Sequence, residues 1–224
     1  MHSARQPKVT QSTSAHRSAA FALILGPIAG LTAIAFHPTG QDVLRSAAAG
    51  TYNVRTAAVH SLALAAQLLV LAGTLALALR LRVRRDLSLA AYIIFAAASF
   101  AVIIAGVASG FLAPGVLRGY AEADEPTRAV MLNALHYTGR INRTFAQVGA
   151  TLSGIAILLW SVAMLLGREL SQSLAIFGTL LGVALALGIV TGYWQVNLLG
   201  FGIVVLAQGI WFVWVATLLW GSDD

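Results

Sequence analysis

Residues 58–79 read AVHSLALAAQLLVLAGTLALAL, a run with no charged side chain from Ala58 to Leu79. At 1.5 Å per residue a helix of this length reaches about 33 Å, enough to cross a hydrocarbon core of ~30 Å. A helix that is apolar all round has no face to offer water, so lipid or a large protein interior must surround it. Arg80, Arg82, Arg84 and Arg85 close the run, and a second apolar run, 87–112, returns directly behind them.

The rest of the chain follows the same pattern. Of 224 residues, 58% are hydrophobic and 10% charged, with a mean hydropathy of +0.82. A soluble domain carries roughly 25% charged residues, so this chain lacks the polar surface to face water. Further apolar runs lie near 19–36, 140–166, 174–192 and 198–220. The expected fold is an all-α transmembrane bundle of six spans occupying 19–221, preceded by a disordered cytoplasmic tail over 1–18. The basic start of the chain, its first apolar run and Ala33-Ile34-Ala35 also match a secretory signal with a small-residue cleavage site. That run exceeds the ~7–15 residues of a signal core, so the segment is read as the first span.

Basic residues set the orientation. With the N-terminus inside, Arg5, Lys8, Arg17, Arg80, Arg82, Arg84, Arg85 and Arg168 are cytoplasmic, while Arg45, Arg55, Arg118, Arg128, Arg140 and Arg143 lie outside. The tight Arg80–Arg85 cluster abuts two span ends, where the positive-inside rule acts most strongly. N-in and C-in follows. Size and Ala/Leu/Arg-rich composition suggest a multi-pass protein of a bacterial inner (plasma) membrane. The net charge of +6 comes from these loop clusters, and a nucleic-acid partner is not expected.

Several chemistries lack their residues. Cysteine is absent, which removes disulfides and thiolate ligands. All eight acids, Asp42, Asp86, Glu122, Asp124, Glu125, Glu169, Asp223 and Asp224, fall outside the spans. Proton pumps and cation-coupled transporters usually keep an acid at membrane depth. No phosphate-binding loop, nucleophile elbow or zinc-protease motif occurs, and no catalytic residue is assigned.

The histidines and arginines of the outer side are the candidates. His37 ends the first span, His60 begins the second and His136 precedes the fourth, all on one side of the membrane by this topology. Three imidazoles in one layer suit Zn²⁺ or Cu²⁺, and two suit the axial positions of haem b. Interfacial histidines with no ligand are the plainer alternative. On the fourth span, Asn133, His136, Arg140, Arg143 and Gln147 share one helical face. A charged side chain near hydrocarbon is costly, so this stripe is expected to face the bundle interior, a water-filled vestibule or an anion such as a haem propionate. Alternatively, Arg140 and Arg143 snorkel to lipid phosphates. Gln67 and Gln208 are expected to form interhelical hydrogen bonds.

Gly26/Gly30, Gly106/Gly110, Gly178/Gly182 and Gly188/Gly192 have the small-xxx-small spacing of helix-packing seams. Two segments, Gly106–Phe111 and Gly188–Tyr193, share the pattern G-x-x-[S/T]-G-aromatic. Together with Ala66-Gln67 and Ala146-Gln147 they suggest that hairpins 2–3 and 4–5 are parallel repeats. Trp211, Trp214 and Trp220 are expected at the bilayer interface. The fourth helix starts near Pro126, with Asp124 as its cap, or breaks at Gly139. Three functions fit: a protein binding a cofactor (haem or a transition metal) or an anionic ligand at the outer His/Arg cluster, a structural or accessory subunit binding lipid, partner subunits or its own copies, and a small anion or solute transporter.

Overall fold

A computed structural model describes residues 13–51 and 54–221, and the described chain is helical throughout with no strand. The elements are α1 (Thr13–Ala35), α2 (Gly40–Ala48), α3 (Val54–Arg80), α4 (Arg85–Val107), a π-helical turn (Ala108–Leu112), α5 (Ala113–Val116), α6 (Glu125–Gly167), α7 (Gln172–Val190) and α8 (Leu198–Trp220). Six of these segments are long and apolar enough to cross a membrane. The chain is a multi-pass membrane protein built as an all-α bundle. The expected tail is helical from Thr13 rather than from about 19, and residues 1–12 lie outside the described residues.

Helix α1 packs on α3 and α8, α3 also on α4, α4 on α6, and α6 on α7. Lipid is as apolar as leucine, so close packing must come from small residues. Ala66 carbonyl and Val70 crowd Gly26, Leu23 crowds Gly73, and Val102 and the Ala98 carbonyl crowd Gly149. Gly192 departs from the expected seam. It has φ +72° with open space around it, and it turns the chain at the end of α7. Gly110 instead lies inside the continuous α4–π segment. Gln67 bonds across the bundle and Gln147 is exposed, so the proposed repeat has no structural counterpart at these positions.

The 43 residues of α6 run unbroken through Gly139. Asp124 caps the helix by accepting from the Thr127 N–H at 3.0 Å, with Pro126 in the first turn. At about 64 Å, α6 is roughly twice as long as a span needs, and its first half projects beyond the bilayer. Trp211 corrects the interfacial reading of its group. It is fully buried and stacked on Trp160 at 6.1 Å, beside Phe95 and Phe212, whereas Trp214 and Trp220 are on the surface.

At the end of the bundle that holds the α3–α4 and α6–α7 turns, Glu169 joins two turns that are distant in sequence. Its carboxylate accepts from the backbone N–H of Arg82 at 3.0 Å and of Val83 at 3.3 Å. The residues flanking it, Arg168 and Leu170, hold left-handed conformations (φ 51° and 59°), which turn the carboxylate towards the α3–α4 turn. Glu169→Ala is expected to lower stability by about 1.5 kcal/mol, the lower end for hydrogen bonds to a charged group because these are exposed. A drop in the thermal midpoint of the detergent-purified protein is the expected reading, recovered at most in part in Glu169→Gln, whose single carbonyl oxygen can accept only one of the two bonds.

A histidine pair at one end of the bundle

Residue 38 is proline, which pushes His37 out of helical geometry and ends α1. Thr39 then opens α2 with a reciprocal capping box. Its hydroxyl accepts from the Asp42 N–H at 3.2 Å, and its own N–H donates to the Asp42 carboxylate at 2.8 Å. These bonds, the backbone one first, hold the Asp42 carboxyl below the usual carboxylate range. Helix α2 lies within a stretch expected to be loop. The Thr-x-x-Asp spacing is the signal that marks it. From α3, the Arg55 side chain donates to the Phe36 carbonyl at 3.2 Å. A cation thereby satisfies a C-terminal carbonyl of α1 and clamps the end of α1 to the start of α3.

This clamp brings His37 against His60, with ring centroids 4.8 Å apart and planes at 66°. His60 is buried, and its ring occupies the space that the missing side chain of Gly110 leaves in the π-helical turn. Its Nδ1 lies 2.7 Å from the Thr56 carbonyl. A carbonyl can only accept, so Nδ1 carries the proton and the neutral ring keeps its lone pair on Nε2. That Nε2 is buried with no hydrogen-bond partner among the described residues, as is Nδ1 of His37. Burial, followed by the neighbouring His60, lowers the His37 pKa below the ordinary histidine value. His60 stands twenty residues before the end of α3 at Arg80, about 30 Å along the helix, roughly the thickness of a hydrocarbon core.

The other expected members lie elsewhere. His136 is exposed on α6, and among the described residues no three His, Cys, Asp or Glu side chains gather where they could hold a metal ion. A three-imidazole centre of His37, His60 and His136 is therefore absent from this geometry. Asn133, Arg140, Arg143 and Gln147 are exposed as well, so the polar stripe faces outward and not into the bundle. Further along α6, Ala146, Gly149, Ala150, Ser153 and Gly154 are all buried. These small residues let α4 and α7 approach, and long arginines in their place would hold the helices apart. Arg143 lies twenty-four residues before the end of α6, about 36 Å along the helix, more than the ~30 Å of a hydrocarbon core. Haem fares no better. Axial imidazoles stand on opposite faces of a porphyrin, and two rings in edge-to-face contact leave no slot for one.

Comparison with known proteins gives no match, since no family model, curated protein or solved structure is similar to this chain.

Proposed function

We propose that this membrane protein binds a single copper(I) ion through His37 and His60 at its extracytoplasmic end. The observation that carries the reading is the buried Nε2 of His60, its lone pair exposed by the Thr56 bond and left without a partner. A buried polar atom of this kind costs free energy unless something satisfies it. Imidazole suits copper and zinc, but zinc demands about four ligands and only two imidazoles converge here. The cost of burying an ion also rises steeply with its charge, and among the described residues no carboxylate joins the pair to offset a second positive charge. Copper(I) asks for one charge and accepts two nitrogen ligands. Arg140 and Arg143, facing outward at the headgroup layer, are in position to anchor α6 to lipid phosphates.

Copper(I) titration of the detergent-purified chain against a chromophoric chelator tests this. One ion per chain is expected, with affinity at least ~100-fold weaker in His60→Ala, about 2.7 kcal/mol at 1.4 kcal/mol per tenfold. Proton competition has a defined sign. The fold favours neutral His37, so binding and stability are full above the ordinary pKa of about 6.5 and decline as pH falls below it towards the depressed value. Stoichiometry near zero, or identical titrations of the parent and His60→Ala, would leave an accessory or scaffold role in its place.

A further inference from the structure

A cavity of about 110 Å³ lies at mid-depth between α1, α3, α4, α6 and α8. Its walls are chiefly apolar, with Phe95, Val102, Val204 and Phe212 among them, and two carboxamides, Gln67 and Gln208, line it from opposite parts of the bundle. From the cytoplasmic helix ends Gln67 is thirteen residues up α3 and Gln208 twelve residues up α8, about 20 Å and 18 Å, close to the bilayer midplane.

The hydrogen bonds fix which way each carboxamide faces. Gln67 Nε2 donates to Ser99 Oγ at 2.8 Å, and Ser99 Oγ donates its only proton to the Phe95 carbonyl at 2.8 Å. Gln208 Nε2 donates to Ser153 Oγ at 2.6 Å, and Ser153 Oγ donates to the Ala150 carbonyl at 3.0 Å. Each serine, its proton committed to its own helix, can only accept from the amide, so the glutamine must turn its NH2 to it. The carbonyl oxygen Oε1 of each glutamine is then the atom left over, and no hydrogen bond to it forms among the described residues. The same device occurs twice, on two unrelated helix pairs.

From this arrangement we infer that the cavity is a binding site for a small uncharged molecule with an apolar body and a hydrogen-bond donor, of the alcohol or phenol class. At about 110 Å³ the space is somewhat smaller than an apolar cavity of ~150 Å³ that takes up benzene in another protein, which limits the ligand to about one ring or less. Two carbonyl acceptors call for a donor on the ligand. Cations are excluded by the absence of any acid at this depth. Water alone is a poor filler, since each molecule needs two to four polar partners and most of this wall provides none. Ile34 and Ala63 in the wall stand three residues in sequence from His37 and His60, which do not line the cavity themselves. The inference does not depend on an ion at that pair.

The test is ¹⁹F NMR of the full chain in detergent without copper, with 4-fluorophenol and fluorobenzene as probes. Saturable binding of 4-fluorophenol is expected, about tenfold tighter than fluorobenzene, the worth of one neutral hydrogen bond. Gln67→Leu/Gln208→Leu, which keeps the shape and removes both acceptors, is expected to bring the two probes level. Ala63→Leu, which fills the cavity and leaves the glutamines in place, is expected to abolish saturation of both. Equal affinities for the two probes in the parent chain, or partitioning into micelles only with no saturation, overturns the inference even if the double variant fails to fold. His60→Ala should leave the fluorophenol result intact, so failure of the copper reading and failure of this one are distinguishable.

Discussion

Replacing Gly110 by valine is expected to abolish copper(I) binding as completely as removing His60 itself. A side chain at Gly110 would run into Cβ and Cγ of His60, the atoms nearest the α3 backbone. The far end of a flexible side chain can swing away, but these two atoms cannot. The imidazole then leaves its rotamer, which carries Nε2 away from His37, or the π-helical turn separates from α3. Either outcome breaks the pair, so a loss of at least ~100-fold in affinity is expected, equal to the His60→Ala effect. The thermal midpoint should fall with it. Gly139→Ala is the control: nothing lies within 4 Å of that position on the exposed face of α6, and alanine there is expected to stabilise by up to about 1 kcal/mol with unchanged copper titration. A Gly110→Val protein that titrates like the parent would show that His60 is not held for an ion by this packing.

Gly182→Leu is expected to have the largest effect on stability. The first carbon of a side chain at Gly182 would lie 2.6 Å from the Gly154 carbonyl oxygen, 2.7 Å from Leu158 Cβ and 2.8 Å from the Leu158 nitrogen. Two of these three are backbone atoms of α6, and they yield only if the helices part. Gly154 answers from the other side, with Leu185 Cβ at 3.0 Å and the Gly182 carbonyl at 3.3 Å from the carbon it lacks. The α6–α7 crossing therefore depends on both glycines. Overpacking a well-filled site costs about 1–3 kcal/mol. Leucine, set against unyielding backbone, is expected at or beyond the upper end, seen as loss of monodisperse protein in detergent and a steep fall in unfolding midpoint. Gly182→Ala should fall between leucine and the parent. Helix α7 lines neither the cavity nor the histidine pair, so any variant protein that remains folded should bind copper normally.

Both results depend on glycines that the spacing alone marks as packing seams. Gly106/Gly110 and Gly178/Gly182 are such seams, but spacing does not say what each glycine packs against. Gly110 makes room for an imidazole and Gly182 for a backbone. Gly188/Gly192 has the same spacing, yet Gly192 serves a turn, because φ +72° rather than contact is what it provides. The cap at Asp124 and a start at Pro126 were one of two readings the sequence offered, since an N-cap involves only residues three positions apart, while the continuity of α6 through Gly139 came from the structure. The Thr39–Asp42 capping box that opens α2 was equally local.

The lipid solvent and the six spans were legible in the sequence alone, because length and hydropathy are properties of each segment by itself. Which way each helix is rotated came only from the tertiary structure. Periodicity puts Asn133, His136, Arg140, Arg143 and Gln147 on one face, but it does not point that face inward or outward. In water the apolar face of a helix identifies the core; in lipid both sides are apolar, and that signal vanishes. Small residues decide the rotation instead, through contacts made between helices far apart in the chain. For that reason Trp211 turns inward, the arginines turn outward, two of three histidines meet, and two glutamines with their serines enclose a cavity between them.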